Sequence, residues 1–384
     1  MQKIPEPQGF RLRRGPNQAI VRDRRATGRL VLFMDRQLQN RAQGALMGAL
    51  VGDALALGPH WYYDLDAMRH DYGEWITDFT DPKPNRYHGG LRAGDLSQAG
   101  HLLRLTAQSI VDSAGYDEAD FCRRFDQDFF PLLDGSPFNG PGGYTSQSIR
   151  EAWHKRTREG RPWGECAGLA DTTEAIERTI AIGVRYATDP RSLATHVANN
   201  TSLTQRDDTV LSITVAFNAA LGLLIEGHRF DDRLSSKLMG RVQKGLLPFH
   251  KDYGPNPSPT AIAGNFASPD ALLTASHIAE AASDTDIRIE PAWKVSLVYG
   301  MPCAVYHQVP SAYYLAARFS DDFESAILHA VNGGGQNLAR AMLTGALVGA
   351  QVGLSGIPSR FIEGISGSQS LLDMAERLAS DASR

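Results

Sequence analysis

Glycine recurs at every fourth position in two runs that lie at opposite ends of this chain. Residues 44–61 read GALMGALVGDALALGPHW, with Gly44, Gly48 and Gly52 in step, and residues 345–353 read GALVGAQVG, with Gly345, Gly349 and Gly353 in the same spacing. Positions four apart lie one above another on a helix, so each run gives a face with almost no side chains. Small residues let two such faces approach backbone to backbone, and the two runs are natural partners. The first run is broken by Asp53 and is too short for a bilayer, which needs ~20 apolar residues. It reads as a buried packing helix that ends in polar residues. Gly356-Ile357-Pro358 stops the second helix. Pairing of the two helices would bring Asp53 to Trp61 beside Asn332 to Arg340, and a site is expected there.

The rest of the pattern is helical. Apolar stripes at helical spacing run through 97–112, 173–187, 208–226, 270–282, 310–332 and 337–354, and no alternating strands bounded by hairpin turns appear. Glycine and proline gather in 81–94 (DPKPNRYHGGLRAG), 135–143 (GSPFNGPGG) and 253–259 (YGPNPSP), which are too rich in breakers for regular structure. The expected fold class is all-α, a single orthogonal multi-helix domain over residues 40–384 with long functional loops. Residues 1–39 are expected to form a basic, flexible extension. Arg11, Arg13, Arg14, Arg22, Arg24, Arg25 and Arg29 stand there against few acids. An organelle transit peptide, a flexible arm and a true start at Met34 all fit that composition.

Bulk composition excludes several classes. Charged residues make up 21% of the 384, hydrophobic ones 42%, and the net charge is −4, so nothing biases the chain globally towards nucleic acid or membrane. The basic arm is not continued after residue 40, nor interleaved with aromatics, as a nucleic-acid surface would be. Cys122, Cys166 and Cys303 are far apart and odd in number, which argues against a disulfide framework or cysteine metal cluster and fits a cytoplasmic location.

Four polar clusters interrupt the helical pattern. Asp53, with His60 and Trp61, must find a partner because a bare buried carboxylate costs several kcal/mol; capping a neighbouring helix is the simplest answer. Asp95 or Ser97, in GDLSQAGH, can cap the helix that follows, with free amides able to bind an anion. Asp207 and Asp208, in TQRDD, suit the positive end of a helix better than a metal, since no other carboxylate is near in sequence. Asn332 to Arg340 (NGGGQNLAR) combines a triple glycine with a helix start, which suits close backbone approach or an anion, with Arg340 as its partner. It lacks the lysine of a P-loop and the strand of a dinucleotide fold.

In this order the clusters resemble the ADP-ribosylglycohydrolase superfamily, all-α proteins that use two magnesium ions to cleave ADP-ribose from side chains or related acceptors. The opening phrase resembles that family's Gly-Asp-Ala helix, LTQRDD its Thr-His helix start, and AVNGGGQN with GALVGAQVGLSGIP its Gly-Gly-Asp-Thr-Asp-Thr motif and final core helix. The likeness covers roughly residues 40–365. At the family's Thr-Asp-Asp-Thr motif this chain has Ala99, Gly100, His101 and Leu102, and at Asp-Thr-Asp-Thr it has Gln336, Asn337, Leu338 and Ala339. The early glutamate position falls on His60. Magnesium takes an octahedral set of hard oxygens with one or two carboxylates, so no cofactor is expected: Gly100, His101, Gln336 and Leu338 replace the family aspartates. HWYYD and GGQNLAR are closer to a divergent branch, the J-crystallins and selenoprotein J, which lack the full set of metal aspartates.

Two functions follow. One is a hydrolase of an N- or O-glycosidic bond in a ribosyl or nucleotide-like compound, without the dinuclear magnesium site. Asp53, Asp95, His60 and His101 are its candidate acids, bases or stabilisers. Trp61, Gln98, Tyr144, Gln205, Asn332, Gln336, Asn337 and Arg340 are its candidate substrate-binding residues, by stacking or by hydrogen bonds to sugar hydroxyls. The other is a non-catalytic pseudo-hydrolase that binds such a ligand or serves a structural role. The expected partner is a small sugar or nucleotide-like molecule, not nucleic acid or membrane.

Overall fold

A computed structural model describes residues 24–249, 270–380 and 382. Its first long helix, α1 (Arg24–Leu57), is followed by the short α2 (Leu65–Tyr72) and, after an irregular stretch, by α3 (Gln98–Asp112), α4 (Glu118–Arg124) and α5 (Gln147–Trp153). Then come α6 (Glu174–Arg185), α7 (Pro190–Ser202), α8 (Asp208–Ile225) and α9 (Leu234–Gln243). The last third holds α10 (Asp270–Ser283), α11 (Val295–Tyr299), α12 (Val305–Arg318), α13 (Phe323–Val331), α14 (Asn337–Val352), α15 (Ser359–Glu363) and α16 (Ser368–Ser380). No strand occurs among the described residues; isolated bridges pair Gly168 with Gln205 and Thr172 with Ala304. The fold is all-α, as the periodicity predicts.

The two glycine-faced helices do pack. Gly44 lies on Gly349, Gly48 on Gly345 and Gly52 on Ala341, so α1 and α14 run antiparallel with backbone carbonyls where side chains would otherwise stand. A Cβ on any of these glycines would meet the opposing carbonyl oxygen closer than real Cβ contacts allow. α14 is buried almost throughout, and α1 is buried from Gly44 to Leu57. Around them α3, α6, α8, α13 and α16 complete one large core, and a second cluster of Phe121, Phe125, Phe129, Phe130 and Trp153 packs beneath α3. The helix α8 is long and apolar enough to cross a bilayer, yet its residues from Thr214 to Ile225 are buried in this core.

Local signals set most boundaries. Ser97 caps α3 by accepting from the Ala99 amide at 3.0 Å, and Asp207 caps α8 by accepting from Thr209 and Val210 amides at 2.9 and 3.0 Å. The stripe over 310–332, expected as one helix, is two. The chain breaks at Phe319–Asp322 because Asp322 caps α13, accepting from the Ser325 amide at 3.0 Å, a signal hidden inside an apolar run. The helix α1 starts at Arg24, inside the stretch expected as a flexible extension; residues 1–23 lie outside the described residues, as does the loop expected at 253–259.

The glycine interface gives opposite expectations for one substitution at two places. Gly345→Ala puts a methyl on the Gly48 carbonyl and should cost about 1–3 kcal/mol or more through overpacking, despite the ~1 kcal/mol gain in helix propensity. Gly240→Ala, in α9 with open space around it, should stabilise by about 0.4–1 kcal/mol. Urea denaturation of the two variants checks both signs.

Candidate active site between α1, α3, α6 and α14

The site begins with Asp53. Its carboxylate emerges from α1 with no solvent exposure and accepts from the Ser97 amide at 2.8 Å, the Gly100 amide at 3.2 Å and the Ser97 hydroxyl. Burial pushes its pKa up to about 6, and these hydrogen bonds oppose the rise. The start of α3 presents its free amides and positive dipole end to this anion. A Cβ on Gly100 would strike the Asp53 carboxylate, so α3 can dock here only with glycine at that position. Asp53 thus joins two helices, and its oxygens are occupied in doing so.

Beyond the end of α1 the chain turns through Pro59 to His60, and two histidines form a chain of hydrogen bonds. His88 Nδ1 lies 2.5 Å from the Gly142 carbonyl oxygen and must donate to it. His88 Nε2, 2.7 Å from His60 Nδ1, then accepts from His60 when both rings are neutral. His60 Nε2 is left as an acceptor against the Gln336 side chain, a pattern that turns the NH2 of that amide towards the ring. Burial lowers both pKa values, with His88 pushed down to about 4. Both are therefore neutral at pH 7. The Trp61 indole stacks on His60 with ring centroids 5.0 Å apart, and Tyr144 meets Trp61 edge-on at 5.2 Å.

The cavity next to this chain is lined by His60, His88, Ser97, Gln98, Leu102, Tyr144, Ser146, Glu174, Glu177, Gln336 and Leu338. Its volume is about 30 Å³, which is room for a water or two. Gln98 uses its Oε1 to accept from the Ser146 amide at 2.9 Å. Its Nε2 and the Ser146 hydroxyl have no hydrogen-bond partner although both residues are buried. A sequence reading overlooked the two glutamates, which arrive from α6 one turn apart. Glu174 accepts from Ser148 at 2.9 Å and from Thr172, and Glu177 accepts from Thr173 at 2.6 Å. Burial raises both, Glu177 to about 8, where the nearby Glu174 charge adds to the rise. Two acids three residues apart inside the apolar stripe TTEAIERTIAIGV were the available signal.

The sequence-predicted residues divide. His60, Gln98, Tyr144 and Gln336 line the cavity, and Trp61 packs against two of them. Asp53 sits behind the wall. Asp95 lies outside, accepting from Ser366 at 2.7 Å and from the Arg92 amide at 2.9 Å, where it holds the chain before α16. His101 points from α3 towards Arg104, 3.5 Å away, and does not line the cavity. Gln205 is spent on the start of α6, donating to the Ala170 and Thr172 carbonyls and accepting from the Ala175 amide at 2.8, 2.8 and 3.0 Å. Asn332 ties to Ile76 through both backbone atoms, at 2.8 and 2.9 Å. Asn337 donates to the carbonyls of Pro59 and Val331 at 3.2 Å each.

The triple-glycine stretch Gly333 to Gln336 spends two of its amides on backbone carbonyls. Gly335 donates to the Tyr62 carbonyl at 2.6 Å and Gln336 to that of Met301 at 2.9 Å, with Gly334 and Gly335 at φ of 61° and 59°. Arg340 faces inward, not to a ligand. Fully buried, it donates to the carbonyls of Ala330 and Gly334 at 3.0 and 2.6 Å and to the Gln308 side chain at 3.3 Å. Burial lowers its pKa to about 9, and the negative C-terminal end of α13 offsets its charge. Among the described residues no three His, Cys, Asp or Glu side chains gather where they could hold a metal ion.

An all-α chain whose first and penultimate long helices clasp a polar cavity matches one known family. The ADP-ribosylglycohydrolase family matches residues 34–384, and the chain belongs to it. An uncharacterised protein of Archaeoglobus fulgidus is 24% identical over 343 residues, covering 89% of this chain and 96% of the relative. Crystallin J1A of Tripedalia cystophora is 22% identical over 364 residues, covering 89% of this chain and 97% of that one, which supports the divergent branch. A solved structure titled ADP-ribosylglycohydrolase-related protein complex shares the fold, with a TM-score of 0.60, 18% identity and coverage of 90% of this chain and 99% of that one.

The neutral histidines have a measurable consequence. The folded pKa of His88 is depressed below its ordinary 6.5, so the unfolded chain takes up a proton that the fold refuses. Stability is then complete above about pH 6.5 and falls as pH drops towards about 4. The loss assignable to His88 reaches about 3 kcal/mol at most. Urea unfolding as a function of pH should give a shallower decline over that window in His88→Gln than in the native protein.

Proposed function

We propose that this protein hydrolyses an N- or O-glycosidic bond of a ribosyl or nucleotide-like compound in the cavity between α1, α3, α6 and α14, without a dinuclear magnesium centre. The observation that carries the reading is the pair of buried polar groups with no protein partner, Gln98 Nε2 and Ser146 Oγ, on the wall of that cavity. A buried donor without a partner costs about 1–3 kcal/mol, and a sugar hydroxyl or a bound water satisfies it. Around them Gln336 offers an amide and Tyr144 an aromatic wall, which runs outward through Tyr87 to Phe138, its rings 5.7 Å apart and stacked, with Phe138 72% exposed. Such a wall suits a base or another flat ring. The cavity must open to admit more than a few waters.

The donor set supports the metal-free reading. Magnesium needs several hard oxygens at octahedral positions. Leu338 presents only an alkyl group, Gln336 is bonded to His60, and Asp53 is saturated by α3. Free, separated cysteines agree with a cytoplasmic protein. The alternative is a pseudo-hydrolase that binds the same ligand without turnover, and the commitment of every ring nitrogen of His60 and His88 to another group favours it.

A thermal-shift series with ADP-ribose, nucleosides and simple ribosides, each with and without chelator, followed by product analysis, separates these. The expected result is stabilisation by one ribosyl compound, about 2.7 kcal/mol at a hundred times Kd, unchanged by chelator and accompanied by a hydrolysed product. Binding without product establishes the pseudo-hydrolase. Stabilisation that disappears with chelator restores a magnesium site and overturns the metal-free reading.

A further inference from the structure

Among the acids of this chain, Glu174 and Glu177 are unusual in reaching one cavity from one helix face. Positions i and i+3 stand about 5–6 Å apart at Cβ, and both side chains line the cavity that holds the unpartnered Gln98 amide. Among the described residues no basic side chain forms an ion pair with either carboxyl. Their fixed partners are hydroxyls: Ser148 and Thr172 for Glu174, and Thr173 for Glu177. A structural role alone would not require two carboxyls there, since a single amide could accept from the same hydroxyls without the cost of burying charge.

We infer that Glu174 and Glu177 are the catalytic pair of this cavity, Glu177 the general acid and Glu174 the general base, for cleavage of the glycosidic bond of a bound riboside. This rests on the hydrolase reading above. The roles follow from surroundings. Glu174 accepts two hydroxyl bonds and its own amide at the first turn of α6, near the positive helix end, which favours its ionised form. Buried Arg178 lies one turn on; its bonds go to Asn200 and Thr204, and its charge balances one carboxylate. Glu177 has a single hydroxyl partner, is 2% exposed, and faces the charges of Glu174 and Asp53 as well as that of Arg178. It is the member that keeps the proton, and its pKa near 8 agrees. Like charges this close do not both ionise.

The step balances with water as the only co-reactant. Glu177 gives its proton to the leaving nitrogen or oxygen as the bond from that atom to the anomeric carbon breaks, the electron pair departing with the leaving group. Water attacks the anomeric carbon, and Glu174 takes its proton. Glu174 then holds the proton that Glu177 lost, and one transfer through cavity water restores the pair.

The test compares two riboside substrates in the native protein, Glu174→Gln and Glu177→Gln, with Tm recorded for each variant. One substrate, adenosine, has a poor leaving group, and the other is 4-nitrophenyl riboside, whose departure needs no acid. Glu177→Gln should lose about 10²–10⁴-fold in kcat on the first and less than about 10-fold on the second. Glu174→Gln should lose both, and Glu174→Ala should regain nitrophenyl cleavage when azide is supplied as nucleophile. Equal loss on both substrates in Glu177→Gln overturns the assignment, as does native turnover of the first substrate in either Gln variant. A native protein that binds ribosides but hydrolyses neither overturns the hydrolase reading itself, and the pair with it.

Discussion

The contact on which the rest depends is the meeting of α1 and α14 through glycine. Where Gly44, Gly48 and Gly52 face Gly349, Gly345 and Ala341, the helices touch backbone to backbone, and everything at their polar ends is placed by that closeness. His60 hangs from the chain just after α1 and Gln336 stands at the threshold of α14. Their side chains bond only because the axes approach as closely as glycine allows. A methyl group at the interface would separate the helices by more than a hydrogen bond tolerates. The packing of the core and the geometry of the cavity are therefore one constraint.

Asp53 extends that constraint to α3. A buried carboxylate is costly unless its lone pairs are satisfied, and here the first turn of another helix satisfies it with two amides and a hydroxyl. The bond serves both sides, because a helix start has free amides to place. Gly100 is the steric counterpart of the same arrangement. Two buried arginines work in a related way. Arg178 binds the end of α7 through Asn200, and Arg340 binds the end of α13 through Ala330, each cation set on helix-terminal carbonyls. These polar groups hold helix ends, which is why so many of them are not free for a ligand.

That distinction marks what the sequence could and could not disclose. Helical periodicity and the four-residue glycine spacing are local, and they were enough for the all-α class, for most helix positions and for the partnership of the two ends of the chain. The meeting of His60 with Gln336 followed from that partnership. Whether a polar residue faces a cavity or a neighbouring helix end is not local. Gln205, Asn332 and Arg340 look like ligand-binding residues in a list, yet their side chains complete backbone hydrogen bonds that only the fold reveals as missing partners. Glu174 and Glu177 were hidden for the converse reason. At the start of a helix two acids look like ordinary partners of the dipole, and only the surrounding walls show that they are enclosed. His88 lay in a loop whose glycines and prolines announced irregular structure without announcing a ring nitrogen aimed at His60.

Charge is the quantity on which the proposed metal-free reading turns. A magnesium pair brings four positive charges and calls for several carboxylates to hold them. Here the wall carries neutral imidazoles, amides and hydroxyls, with two glutamates that burial pushes towards their protonated forms. Such a lining can close around an uncharged sugar without stranding ions, which a vacated set of aspartates could not. The positive charge of Arg178, behind the wall, opposes the rise that burial gives Glu174. In a low-dielectric enclosure a carboxylate so placed acts strongly on positive charge developing at an anomeric carbon. In the proposed metal-free reading, protons on carboxyl groups do the charge balancing that divalent cations would otherwise do.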